Sequence, residues 1–339
     1  MASRHISEEE QPSGLVANAA RATTLASRGL DLLVRQLATP DLQPPSDYHW
    51  TQTRRLVAEL VEAEEAAFRA RLAALVPPVL LPPLAVPHAV SDPALIAQAF
   101  ARVEEHRLTT MLRAAGSRAP VEPVASGDAE AAALELALLR ADSRRFDPFG
   151  DPMLVGTDLK AEDMHRLVWR IAAAARAVLI ARGEDDSQVD NWIAVAARHQ
   201  LSRHDEGEGA CPAAIRLATR LLNSDRPLAD VIEAALSAAR PGLAAALLSR
   251  TLGIDHADAL AALADVDRAA VLLRAAGLPR AEAVGVLLRL AEAHGQEDDK
   301  LVATVDGFDA LSRADALHSV AQLQLDPGYR AAITERDGR

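Results

Sequence analysis

Apolar residues recur along this chain at helical spacing, and the clearest case is AEDMHRLVWRIAAAARAVLIARG. There Met164, Leu167, Val168, Ile171, Ala175, Val178 and Leu179 follow the i, i+3, i+4, i+7 pattern, and Gly183 supplies the stop. A second helix from about Ser187 carries Val189, Trp192, Ile193 and Ala196 on one face, and a third is expected to begin at Pro212. Upstream, the pattern predicts a helix from Leu15 to Ala38, stopped by Thr39-Pro40, and a long one ending near Leu75 with Leu56, Leu60, Ala63 and Ala67 along one side. Joined by a short turn, these two form an expected antiparallel hairpin. Further helices are predicted from Pro93 to Ala115, with Asp92 as N-cap, and from Asp128 to Asp142.

Beyond Asp225 the tempo quickens. Helices are expected over Leu228 to Arg240, Leu243 to Leu252, His256 to Leu263, Arg268 to Ala276, Arg280 to His294 and Arg313 to Leu323, punctuated by Pro241-Gly242, Gly253, Gly277-Leu-Pro279 and Gly295. Short helices in quick succession predict a stacked antiparallel array in which each pair buries its apolar face on its neighbours. The pentapeptide Leu-Arg-Ala-Ala-Gly occurs twice, at 112–116 and 273–277, but no fixed repeat period runs through the chain. The expected organisation is a disordered tail over 1–12, the helical hairpin over 13–76, a proline-rich linker over 77–92, a central helical domain over 93–224 and the short-helix array over 225–339. The run from Val76 to Val90 holds five prolines, so it reads as an extended segment lying on an apolar surface or joining two units.

Composition sharpens this all-α reading. Hydrophobic residues make up 50% of the 339 positions but aromatics only 3%, so the core must be built from Ala, Leu and Val, which favours closely packed helices over strands. A net charge of −12 with Lys almost absent argues against a nucleic-acid partner. A single cysteine excludes an internal disulfide framework and suits a reducing cytoplasm. The polar, acidic start MASRHISEEEQPSG is unlike a secretory signal, and no apolar window is long enough for a membrane span. The expected setting is therefore cytoplasmic.

The densest chemistry lies in SRHDEGEGACP, residues 202–212. Read as a helix corner, Arg203 and His204 complement the negative end of one helix, Gly207 or Gly209 takes a left-handed cap, and Glu206 and Glu208 complement the positive end of the next. Read as a metal site of phosphohydrolase type, His204 and Asp205 are adjacent ligands. His199 is a poor third ligand, because residues five apart on a helix point about 140° from one another. His165, in EDMHRLVWR, is a candidate phosphorelay histidine, set beside the apolar stripe with Trp169 one turn on. Cys211 stands at a helix start, where a thiol can be acidified, without a histidine dictated by spacing. No P-loop, GxGxxG, GxSxG, HExxH or CxxC pattern occurs, so no cofactor is expected.

From DMHRLVWRIAAAARAVL through ARHQLSRHDEGEG to AAVLLRAAGLPRAEAVGVLLRL the chain resembles the bacterial domain-of-unknown-function family 2336, mainly over residues 160–295. The resemblance implies a helical-repeat-like bacterial protein and transfers no catalytic residue. The functional expectation is a non-enzymatic scaffold or regulatory adaptor acting through protein–protein contacts, with a homodimer through the N-terminal hairpin as one arrangement. Its expected interface anchors are Tyr48, Trp50, Phe146 and Phe149, whereas Trp169 and Trp192 are assigned to core packing. The metal-dependent phosphohydrolase at His204 and Asp205 and the relay through His165 are the alternatives.

Overall fold

The computed structural model describes residues 47–75, 81–84, 86, 89, 91–116, 124, 127–326, 328–330 and 332–333. The expected tail over 1–12 and the first helix of the N-terminal hairpin lie outside these residues. Thirteen α-helices and three short 3-10 turns make up the described chain, and its one β-feature is an isolated bridge between Phe146 and Pro152. The fold is all-α.

Helix α1 spans Asp47–Ala73, α2 Pro93–Ala115 and α3 Ala129–Ser143. Helices α4, Ala161–Ala181, and α5, Asp186–Arg203, follow. The array then runs α6 Ala210–Leu222, α7 Leu228–Ser237, α8 Pro241–Leu252, α9 His256–Leu263, α10 Val266–Ala275, α11 Arg280–His294, α12 Asp298–Ala310 and α13 Arg313–Val320. Local chemistry sets most of these boundaries. The carboxylates of Asp92, Asp128, Asp185, Asp255 and Asp265 accept first-turn backbone N–H groups of α2, α3, α5, α9 and α10. Gly253 and Gly295 end α8 and α11 at positive φ, a geometry that costs glycine little.

Two hydrophobic cores meet on α2. The first gathers α1, α4, α5 and the N-terminal half of α2 through Leu56, Leu60, Phe68, Leu95, Val103, Leu167, Ile171 and Ala196. The second takes the other end of α2, at Leu108 and Leu112, with α3 and the whole series from α6 onward. These cores group the helices differently from boundaries at 93 and 225, because α6 packs with the array while α4 and α5 pack with α1. Helix α8 lies at the centre of the second core, with every residue from Leu243 to Leu248 buried, so it shows no amphipathic stripe. The array also curls on itself. Helix α11 packs back on α7 and α2, which an open solenoid with neighbour contacts alone would not do.

The described part of the proline-rich segment docks on this same chain. Leu81, Leu84 and Ala89 enter the first core, Leu84 N–H donates to Glu65 Oε1 at 2.8 Å, and Arg69 Nη1 donates to the Leu81 carbonyl at 3.3 Å. Helix α12 was not expected from the sequence, since Gly307 interrupts a short pattern that buries only Thr304, Val305 and Phe308. The two Leu-Arg-Ala-Ala-Gly copies end their helices differently: Gly277 has φ +83°, but the Gly116 cap is extended.

The 202–212 corner departs from its expected geometry. Helix α5 stops because His204 turns extended, neither Gly207 nor Gly209 adopts positive φ, and α6 begins at Ala210, which places Pro212 third in its first turn. Glu206 reaches back to α4, where its Oε2 accepts the Ala161 N–H at 2.7 Å, and Glu208 meets Arg144 at 3.2 Å. Here glycine is required for close approach. A Cβ at Gly209 would stand 2.4 Å from the Thr157 carbonyl oxygen and 3.1 Å from that of Glu206, both backbone atoms with little freedom to move. Gly209→Ala is therefore expected to cost about 1–3 kcal/mol, the usual penalty for overpacking. Chemical denaturation checks this, and a midpoint equal to wild type would show that the two 3-10 turns separate freely.

Candidate functional site

Where the two cores meet, a 410 Å³ cleft opens between α2, α3, α6, α8 and α9. Its floor is charged. The Arg145 guanidinium grips Glu105 with both Nη atoms, at 2.6 and 3.1 Å, and its Nε lies 3.3 Å from Asp158. Arg102 stands 3.5 Å from the same Glu105, donates to the carbonyls of Arg145 and Met153 at 2.9 and 3.2 Å, and lies over the Phe146 ring at 4.9 Å. A buried charge is tolerated only when paired, and here each guanidinium and the Glu105 carboxylate has an opposite charge within 3.5 Å.

The electrostatic consequences follow from burial and neighbours. Burial opposes ionisation of Glu105, but the charges of Arg145 and Arg102 outweigh it and hold the carboxyl at about 2. Burial, with repulsion from Arg145, brings Arg102 down to about 10. Asp142 goes the other way, raised to about 6 by its own burial and by the Glu105 charge. His256, first residue of α9, has its Nε2 2.9 Å from the Gly242 carbonyl. Burial opposes its protonation, yet contact with Cys211 and the Gly242 carbonyl, together with the Glu105 charge, raises its pKa to about 9. No expectation from the sequence covers the cluster of Arg102, Glu105 and Arg145. Its signal is Arg102 at a core position of α2, between Ala99 and Val103 on one side and Leu108 on the other, where periodicity calls for an apolar residue.

A second cleft, of 630 Å³, lies on the far side of the 202–212 corner between the C-terminal ends of α1 and α5. Arg71, Arg144, His199, Arg203 and His204 line it, with Glu64 as its one carboxylate. Burial raises the Glu64 pKa, against the opposing effects of a 2.7 Å hydrogen bond from Gln200 and the His204 charge. The His199 pKa is lowered by desolvation and by the charges of Arg71 and Arg203.

The expected metal pair does not converge. His204 faces the Glu64 side, whereas Asp205 Oδ1 accepts the Gly207 N–H at 2.9 Å as a turn cap. Among the described residues no group of three or more His, Cys, Asp and Glu side chains is placed to hold a metal ion. His165 is exposed, and its Nε2 accepts the Trp169 indole N–H at 3.0 Å, so the lone pair a phosphoryl acceptor would use is engaged. Trp169 is itself 38% exposed instead of buried in the core, because it sits on the solvent edge of α4 over His165; Trp192 packs against the first core.

Of the aromatic interface candidates, Phe149 is 92% exposed at the tip of a turn stapled by Asp147, whose Oδ1 accepts the N–H groups of Phe149 and Asp151 at 2.8 Å. Phe146 is half-buried in the first cleft between Arg102 and His106. Tyr48 is exposed at the start of α1, while Trp50 is half-buried with Arg54 5.4 Å from its ring centre. Between them the His49 ring lies tilted 5.7 Å from that of Phe100 on α2. No described helix is long and apolar enough to cross a membrane. Comparison with protein-family models, curated proteins and solved structures yields no match for this chain.

Two measurements probe the charged floor. Glu105→Gln leaves Arg102 and Arg145 without their shared counter-charge and is expected to destabilise the fold by about 3–5 kcal/mol in urea denaturation, the cost of breaking a buried pair; a loss below about 1 kcal/mol would show the pairs to be solvent-screened. Asp142 has a folded pKa above its unfolded one, so the stability tied to its protonation is present below about pH 4 and lost as pH rises through 6. Asp142→Asn is accordingly expected to raise the thermal midpoint at pH 8 and leave it unchanged near pH 4. A lower midpoint at pH 8 would mean that the contact of Asp142 with Arg145, 3.5 Å away, outweighs its burial.

Proposed function

We propose that this protein is a non-enzymatic helical adaptor, of the bacterial helical-repeat-like kind the family resemblance implies, and that it holds a partner helix at the mouth of the first cleft. One observation carries this reading. Leu136 and Leu139, one turn apart on α3, are 48% and 42% exposed, and Leu139 borders the same cleft as Phe146, from whose turn Phe149 projects. Large apolar side chains clustered at the lip of a concavity mark an interaction surface, whereas singly scattered ones do not. The lip offers the ridge and the cleft the groove into which one amphipathic helix packs.

Support also comes from the use already made of the polar groups. Arg102, Glu105, Arg145 and Asp158 are engaged with one another, Asp205 and Glu206 serve as caps, and His165 is tied to Trp169. Asp205 is thus used as a turn cap and His165 is tied to Trp169, and no described group of three or more His, Cys, Asp and Glu side chains is placed to hold a metal beside His204.

The experiment compares wild type with a Leu136→Asp/Leu139→Asp variant of equal helicity and thermal midpoint. A protein retained by cross-linking capture and then bound in purified form is expected to bind the variant at least tenfold more weakly, the loss of about 1.4 kcal/mol or more that removing a central apolar contact brings. Equal binding by both, or a wild type that retains no specific partner, would remove the reading.

A further inference from the structure

The second cleft holds an excess of positive charge in a chain whose net charge is −12. Among the described residues neither Arg71 nor Arg203 forms an ion pair, while Arg144 at the rim is paired with Glu208. The Arg71 Nε and the His204 Nε2 are buried without a hydrogen-bond partner. Buried polar atoms are paired in all but a few cases, and these two nitrogens have neither a hydrogen bond nor an ion pair among the described residues, so an acceptor entering the cleft would meet them unopposed. Both arginines stand in the last turns of their helices, where cations complement a partial negative charge of about half a unit each. Two helix ends therefore offset roughly one of the two guanidinium charges. The remainder is uncompensated, since Glu64 is the one carboxylate in the cleft and burial works against its ionisation.

From this arrangement we infer that the cleft between the C-terminal ends of α1 and α5 binds the phosphoryl group of a small phosphorylated molecule, with Arg71, His199 and Arg203 as its donors and the orphaned His204 nitrogen as a fourth. The volume suits such a ligand, since small-molecule sites commonly enclose about 300–1,000 Å³. Guanidinium groups match the oxygens of a phosphoryl group in a planar fork. The neighbours of His199 explain how the site responds. Desolvation and then the charges of Arg71 and Arg203 lower its pKa, and a dianion between the arginines would oppose their field. By linkage the anion then binds more tightly as pH falls through the titration of His199. Glu64 from α1, and His204 and Arg144 at the rim, also face the cleft, and Glu64 acts against the anion wherever it is charged.

This site is independent of the adaptor surface at Leu136 and Leu139, so either reading can fail alone. The test uses the full chain with inorganic phosphate as probe, against potassium chloride at equal ionic strength, and follows the His199 ring by NMR. The expected result is saturable binding at pH 7, a His199 pKa that rises in phosphate, and affinity at least tenfold lower in Arg203→Gln, whose side chain is exposed and dispensable for packing. Sulfate, a dianion across pH 5.5 to 8, is expected to bind more tightly at the acidic end, which separates titration of the protein from that of phosphate. Equal effects of phosphate and chloride, an unmoved His199, or unchanged binding by Arg203→Gln would each overturn the inference.

Discussion

The structure depends on one helix serving two cores. Helix α2 gives Leu95, Ala99 and Val103 to the first core and Leu108 and Leu112 to the second, and at the seam it carries Arg102 and Glu105. A purely apolar seam would have joined the two halves without direction, because hydrophobic burial is non-directional. The ion cluster adds geometry. Arg102 fixes the carbonyls of Arg145 and Met153, and Arg145 grips Glu105 with both arms, so the loop between α3 and α4 is held against α2 in one arrangement. That loop presents Phe149 outward and aligns the 3-10 turn at Gly156–Asp158 for its contact with the 202–212 corner.

A scarcity of aromatic residues explains the second constraint. Cores filled by Ala and Leu bring helices and loops close together, and close approach places hard limits on particular glycines. Gly209 lies against the Thr157 carbonyl, a backbone atom with little freedom to move. These contacts give SRHDEGEGACP its role. Its acidic residues brace neighbouring elements, with Glu206 closing the N-terminus of α4 and Glu208 holding Arg144, so the segment works as a clamp among four helices. Histidine, carboxylates and cysteine in eleven residues look like a metal site in one dimension. In three dimensions they point in different directions.

The helices were legible because their determinants are local. Asp92, Asp128 and Asp185 are N-caps within a residue or two of a periodic apolar run, and Gly253 and Gly295 stop helices by a backbone preference that neighbours cannot override. The helix from Asp298 to Ala310 was missed because it buries few residues and has a glycine inside. The clefts were not legible for a different reason. Arg102, Glu105 and Arg145 are joined across some forty residues, as Glu64 and Gln200 are across 136, and a single sequence carries no mark of such pairing beyond a polar residue in an apolar phase.

The two clefts differ in what their charges leave undone, and that difference decides what each can do. In the first, every ionised group of the seam already has an opposite charge within 3.5 Å, so a ligand there gains little from polar contact and would have to leave the cluster intact. Apolar contact at its lip is what remains available, which is the chemistry of a packed helix. The second cleft has the reverse balance: desolvation and the charges of Arg71 and Arg203 lower the His199 pKa, and the buried Arg71 Nε and His204 Nε2 lack hydrogen-bond partners. An anion there relieves an existing cost without breaking any existing pair, so binding can be coupled to proton uptake at His199. Because Gln200, next to His199 on α5, holds Glu64 on α1, a charge entering this cleft acts on both helices at once. Those helices form the first core with the N-terminal half of α2, whose other end enters the second core at Leu108 and Leu112.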